Sequence, residues 1–321
     1  MNLDWQFLLP TQSNTIQNSL ASSVDAQGKY FYDTDYDEST VKGAGYCDAA
    51  GNLVEGDVWT TVSIPHSITA AQAFAHNAKD VGETGATRSC LLYRKTFTVP
   101  AGSQKVFFEL EGIRQAAYVW INGKAVGYYE AGITAMGFDI SNYVNAGEEA
   151  VIAIAEDGTT ARGATEYMSE TKPSGILSSM GTEGFDSSTW ALRNGVNYKW
   201  NASDFNEVQL GLVYNAYLHV TGSVYQTLPL YNNLKTTGNY IYTDNFDINA
   251  QKADITVDAE VRNESDADKN LSLQVDVVDA NGNLQWSFES SNQKVPKAKD
   301  AGIVYETAVE GDVYELSLIH I

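Results

Sequence analysis

The chain has 321 residues, enough by length for two domains, and 43% of them are hydrophobic, so sizeable cores are available. Its formal net charge of −21, with no basic run, argues against sequence-independent nucleic-acid binding and against anionic membrane surfaces; both depend on Lys and Arg. No apolar run reaches the length of about 18 residues that a membrane-spanning helix needs.

The N-terminus, MNLDWQFLLPTQ, has no basic region followed by an apolar core, so no signal peptide is read there. A leader lost upstream would place the protein in the periplasm or outside the cell; otherwise the protein is expected to be cytoplasmic. Residues 1–58 show little periodicity. Asp33, Asp35 and Asp37 alternate as in a calcium loop, but Glu38 and Ala44 stand where that loop needs Gly and Glu. A solvated acidic turn is the reading. Cys47 and Cys90 permit one disulfide without requiring it, and no metal-ligand spacing occurs.

Residues 91–100 (LLYRKTFTVP) form a strand ending at proline, and 105–110 form another, closed by Glu111-Gly112. Ala117, Val119 and Ile121 alternate with Tyr118 and Trp120, a strand period. Asn122-Gly123 follows, and Lys124 to Tyr129 runs back. Both central residues of a type I′ turn need φ > 0, which Gly adopts freely and Asn tolerates. Phe138-Asp139-Ile140 leads into a strand over 151–156. Residues 158–200 are a long irregular segment rich in Gly, Ser and Thr, the kind of loop that is often functional. Beyond 227–242, alternation resumes: Ile255, Val257, Ala259 and Val261 share one face, and so do Leu271, Leu273, Val275 and Val277. Asn281-Gly282 makes another hairpin turn before Leu284, Trp286 and Phe288. Short strands, frequent turns and no long helical run predict an all-β protein.

Several of these motifs together resemble the N-terminal sugar-binding domain of family 2 glycoside hydrolases, the β-galactosidase and β-glucuronidase group. The resemblance begins with a strand ending in Glu111-Gly112, then Asn122-Gly123, the return Lys124 to Gly127, Gly132, and Phe138-Asp139-Ile140. Asp4 to Phe7 resembles the D-W-x-F that often opens the domain. Tyr36 to Ser39 resembles Y-D-D-S, and Trp59 to His66 resembles W-x-x-V-x-L-P-H; residues 40–57 between them read as an inserted surface loop. Ser67 and Ile68 depart from the usual acid or Asn and aromatic. Leu92 to Phe97 resembles W-Y-R-K-x-F with Leu for Trp. Residues 201–220 resemble A-D-F-x-x-x-G-G-x-Y-R-x-V-x-L through Asp204, Phe205 and Gly211, with Leu210 and Tyr214 in place of Gly and Arg. Residues 227–242 resemble the P-L-Y-x-N-L-x-T-T-G linker of a β-galactosidase-like branch.

The resemblance implies a jelly-roll-like, galactose-binding-like sandwich over 1–221, a linker over 222–238 and an immunoglobulin-like β-sandwich over 239–315. It also implies a catalytic (β/α)₈ barrel with two glutamates as the partner of these domains. None of that barrel is read in this sequence, so no catalytic residue is assigned and the chain is expected to be inactive alone, with no cofactor and no metal. The expected ligand is a carbohydrate, a β-galactoside or related sugar, with Asp204, Trp200 and Arg88 as candidate substrate-binding residues. His66 and Arg94 are read as structural, Arg94 in an ion pair at the sheet. Residues 316–321 (LSLIHI) follow no family pattern and are expected to lie outside the native fold. A stand-alone carbohydrate-binding or adhesion protein built from the same two sandwiches is the alternative.

Overall fold

The computed structural model describes residues 1–11, 16–44, 46–47, 53–54, 56, 58–68, 90–113, 116–130, 134–157, 211–228, 236–249, 252–298 and 314–318. The chain divides into two compact units, Met1–Val220 and Thr221–Ile321. In chain order the first holds β1 (Trp5–Leu8), α1 (Ile16–Ala21), β2 (Tyr46–Cys47), β3 (Leu53–Val54), β4 (Thr60–Val62), β5 (Cys90–Thr98), β6 (Lys105–Leu110), β7 (Ala116–Ile121), β8 (Lys124–Glu130), β9 (Met136–Asp139), β10 (Glu149–Asp157) and β11 (Ala216–Thr221). They make a six-stranded sheet, β4-β1-β5-β10-β7-β8, and a three-stranded sheet, β11-β6-β9.

The larger sheet is buried on both faces, which explains why β5 reads as an unbroken apolar run from Cys90 to Tyr93 rather than as an alternation. One face carries Leu91, Tyr93, Val119, Ile121, Ile152 and Ile154, all buried, as are Val106, Phe108, Leu110 and Phe138 of the smaller sheet. The other face carries Cys90, Leu92, Tyr118, Trp120, Tyr128, Ala153 and Ala155 in one cluster with Ile16, Leu20, Phe31, Tyr36 and Trp59. Helix α1 contributes Ile16 and Leu20, one turn apart on the same side. Six residues are too few for a helical period to stand out in the sequence, so this helix was not anticipated.

Arg94 organises the cover over that second face. Its Nη1 donates to the carbonyls of Phe31 (2.9 Å) and Asp33 (2.8 Å), its Nη2 to Thr34 (3.3 Å), and its Nε to Glu38 Oε1 (2.7 Å). The guanidinium fork is suited to several acceptors at once, and the side chain is buried. The structural reading of Arg94 holds, with three backbone carbonyls added to the ion pair. The acidic turn it anchors uses its carboxylates locally. Asp33 accepts from Tyr30 N–H (2.9 Å), Asp35 pairs with Lys29 (2.9 Å), and Asp37 caps the short turn Glu38–Thr40.

The Asn-Gly hairpin forms as expected. Asn122 has φ +49° and Gly123 φ +77°, joining β7 to β8. Asn122 does more than tolerate the turn: its side chain accepts from Val151 N–H (2.8 Å) and donates to Tyr143 O (2.9 Å), stapling the turn to β10. Residues 40–57, expected as a surface loop, contain an antiparallel ribbon: Tyr46 pairs with Val54, Cys47 with Leu53, and Lys42 bridges Val58. A Cβ on Gly56 would lie 2.2 Å from Gly43 O, so the ribbon's base requires glycine.

The second unit holds β12 (Val224–Gln226), β13 (Asn239–Asp247), β14 (Lys252–Asn263), β15 (Lys269–Leu271), β16 (Gln274–Val278), β17 (Leu284–Glu289), β18 (Gln293–Val295) and β19 (Tyr314–Leu318). β14 is its axis, pairing with β13, β12 and β19, while β15 pairs with β18 and β16 with β17. Val257, Ala259, Val261 and Leu273 form its core, with Ile255, Leu271, Val275 and Phe288 packed around them. The alternation read from the sequence is therefore its buried face. The Asn281-Gly282 turn differs from the first: only Gly282 has φ > 0, and Asp279 N–H donates to Asn283 O (2.9 Å) across a three-residue loop.

Two boundaries differ from expectation. Residues 222–238 are not a free tether. β12 pairs with β14, and buried Glu260 takes hydrogen bonds from Thr227 Oγ1 (2.6 Å), Thr237 Oγ1 (2.6 Å) and Thr237 N–H (3.1 Å). A buried carboxylate needs such donors, and Thr227 together with Thr237 of the Thr-Thr-Gly motif supplies them. Residues 316–318, expected outside the fold, instead pair as part of β19: Leu316 with Ala259, Ser317 with Asp258 and Leu318 with Val257. The free edge of β14 offers a ladder to any strand-like segment.

Candidate functional site

Antiparallel pairing brings several strand ends to one rim of the first sandwich. Cys90 at the start of β5 lies opposite Asp157 at the end of β10. Ala116 of β7 lies opposite Glu130 of β8, and Leu110 of β6 opposite Met136 of β9. Long connections, 69–89 before β5 and 158–210 after β10, are therefore rooted at this rim. Arg88, Trp200 and Asp204, the candidate substrate-binding residues, lie outside the described residues.

The chain re-enters the described fold at Gly211 and Leu212, and there a compact hydrogen-bonded closure forms. His66 N–H donates to Leu212 O (2.8 Å), and His66 Nδ1 lies 2.9 Å from the Tyr93 hydroxyl. The Leu212 N–H is hydrogen-bonded to the same hydroxyl. Gly211 has φ +136°, and a Cβ there would sit 2.4 Å from His66 O and 2.8 Å from Tyr93 Oη. Only glycine passes through that gap, which gives the Gly211 of the sequence motif its physical reason.

Burial fixes the protonation states. Tyr93, wholly buried, is held well above the ordinary tyrosine range, first by desolvation and then by the charge of Glu156; it is a neutral donor. Desolvation pushes His66 below its ordinary value of 6.5, so the imidazole is neutral at neutral pH. The Phe7 ring packs on both, at 4.6 Å from His66 and 5.2 Å from Tyr93. His66 thus holds structure, as the sequence reading had it, but through a tyrosine hydroxyl as well as backbone. Tyr93 was not singled out from the sequence. It lies 27 residues from its partner, and a tyrosine in an apolar strand carries no local signal.

Other polar groups of this unit are buried or paired. Glu156, fully buried, lies on the Ile154 side of β10. Glu109 of β6 is bonded to His219 of β11. Asn215, just before β11, donates to Glu111 (2.9 Å) and accepts from Asn2 (2.8 Å), tying the N-terminus to this sheet. Among the described residues no group of three or more His, Cys, Asp or Glu side chains could hold a metal ion. Among them, too, no helix is long and apolar enough to cross a membrane.

Comparison with known proteins gives this geometry a context. Residues 1–159 match the family described as glycosyl hydrolases family 2, sugar binding domain. A β-glucuronidase of Formosa agariphila is 30% identical over 257 residues, which is 78% of this chain and 23% of that protein. A β-galactosidase of Priestia megaterium is 41% identical over 61 residues, 18% of this chain and 6% of that protein. Among solved structures, a β-glucuronidase from glycoside hydrolase family 2 superposes with a TM-score of 0.62 at 26% identity, covering 99% of this chain and 26% of that one. Bacteroides uniformis β-glucuronidase 2 shares the fold, with a TM-score of 0.57 at 18% identity, over 99% of this chain and 27% of that one. The chain spans about a quarter or less of the length of these relatives.

Proposed function

Since residues 1–159 carry the sugar-binding domain of family 2 glycosyl hydrolases, we propose that this chain is the non-catalytic N-terminal part of a longer retaining β-glycosidase, acting in carbohydrate metabolism. One observation carries the reading: identity to a single glycosidase extends over 257 residues, and so runs through both units rather than through one shared motif. For the substrate, β-glucuronoside is preferred to the β-galactoside that the linker motif suggested. The β-galactosidase of Priestia megaterium matches over only 61 residues.

In this reading the partner of the two sandwiches is a (β/α)₈ barrel supplying an acid/base and a nucleophile. Two carboxyl groups about 5 Å apart are what retaining hydrolysis requires, and no residue of this chain is assigned either role. The 158–210 and 69–89 connections, rooted at one rim, would carry Trp200, Asp204 and Arg88 to the sugar. An ionised Asp204 could accept hydrogen bonds from sugar hydroxyls, and charged acceptors make the stronger bonds.

The test is recovery of the complete reading frame and assay of its product. A downstream barrel with paired glutamates, and turnover of nitrophenyl β-glucuronide in preference to the β-galactoside, are expected. A further sandwich in place of the barrel would favour an adhesion protein. Within that full-length enzyme, Asp204→Asn should lower kcat/KM by about 1–3 kcal/mol. Unchanged kinetics with lowered thermal stability would make Asp204 a turn residue. The 321-residue chain itself should leave both nitrophenyl substrates intact.

A further inference from the structure

We propose that the His66–Tyr93–Leu212 closure is a proton-operated latch: it holds the segment ending β4 to the segment leading into β11 while His66 is neutral, and releases when the imidazole takes a proton. The direction of every hydrogen bond in the closure follows from counting donors. Tyr93 has one proton and accepts from Leu212 N–H. Among the described residues, the acceptor within reach of its own proton is His66 Nδ1, 2.9 Å away, and a fully buried hydroxyl needs one. Nδ1 is therefore the acceptor, and the neutral ring carries its proton on Nε2.

Protonation reverses this. An imidazolium has a proton on both nitrogens, so Nδ1 becomes a donor facing a hydroxyl that already receives Leu212 N–H. The Tyr93 proton then loses its acceptor, and the charge is placed against the Phe7 ring. The backbone bond from His66 N–H to Leu212 O belongs to the same closure, and Gly211 threads it too tightly for a shift within the closed form. Opening is the response we infer.

Among the described residues, the groups around the imidazole do not offset that charge. From β1 the facing residue is Phe7, and from 211–212 they are Gly211 and Leu212, none of them titratable. From β5 it is Tyr93, neutral throughout the range. Burial first, and then the charge of Glu156 of β10, keep the Tyr93 hydroxyl protonated. Desolvation of His66 lowers its affinity for a proton, so the latch stays shut at neutral pH and opens in acid. The inference does not depend on the carbohydrate reading.

The test uses the whole chain with isotope-labelled histidine. At about pH 7.5 the His66 ring is expected as the Nε2–H tautomer, read from its nitrogen and carbon shifts. On acidification through the His66 titration, Leu212 amide protection, corrected for the intrinsic pH dependence of exchange, should fall by about tenfold per pH unit, the slope for one proton. His66→Gln keeps an acceptor that cannot titrate, and should flatten this response. An Nδ1–H tautomer at neutral pH overturns the proposal, and so does a parallel loss of protection in wild type and His66→Gln. If His66→Gln does not fold, the wild-type tautomer and the coincidence of ring titration with Leu212 exchange still decide it.

Discussion

Replacing Arg94 by methionine keeps a long, flexible side chain of similar reach and removes every donor. Two carbonyls, those of Phe31 and Asp33, lose short bonds of 2.9 and 2.8 Å; Thr34 loses a longer one at 3.3 Å. Bonds to charged groups contribute about 1.5–3 kcal/mol each, and the Glu38 partner, more than a third exposed, adds little. The expected loss is about 3–5 kcal/mol, or a fall in Tm of roughly 6–20 °C for a unit of this size. Calorimetry of the chain reads the loss, and limited proteolysis should show cleavage moving into the turn around Asp33. Arg94→Lys should recover only part of the stability, because one ammonium cannot serve the carbonyls that the fork spans. A loss below about 1 kcal/mol for Arg94→Met would refute the idea that this side chain holds the cover on the sheet.

Gly211→Ala should cost about 2–4 kcal/mol in urea unfolding, since its Cβ meets backbone oxygen at 2.4 Å in a left-handed conformation; a neutral result would mean that 211–212 moves freely. Asn122→Ala should destabilise by about 2–4 kcal/mol and Asn122→Gly by about 1–2 kcal/mol, because glycine keeps the positive φ and loses only the side-chain staple; equal losses would show that the staple carries no weight. Removing residues 316–321 should lower the stability of the second unit by about 1–3 kcal/mol through three lost ladder pairs, read as a separate shift of its melting transition; an unchanged melt would return those residues to the status of a tail. Stability attributable to His66 is fully present above 6.5, the ordinary value the unfolded chain retains. It declines as pH falls toward the lower folded value, because the unfolded state takes up the proton first. A melt measured against pH with His66→Gln alongside checks the sign.

The sequence by itself determined what depends on neighbours in the chain. The period of two along 117–121 and 255–261 fixed the strands and their buried faces. Asn122-Gly123 fixed a turn, because positive φ at two successive positions is a local requirement, met as Asn122 φ +49° and Gly123 φ +77°. Ordered motifs such as Glu111-Gly112 and Phe138-Asp139-Ile140 pointed to the family. The tertiary structure alone decided what depends on residues far apart. Helix α1 gains its stability from packing on the sheet, so six residues gave no readable period. Thr227 and Thr237 looked like linker residues until Glu260 was placed between them. Tyr93 became a key residue only when folding set it between His66 and Leu212, since a buried hydroxyl must find partners wherever the fold provides them, and no local pattern records which ones it found.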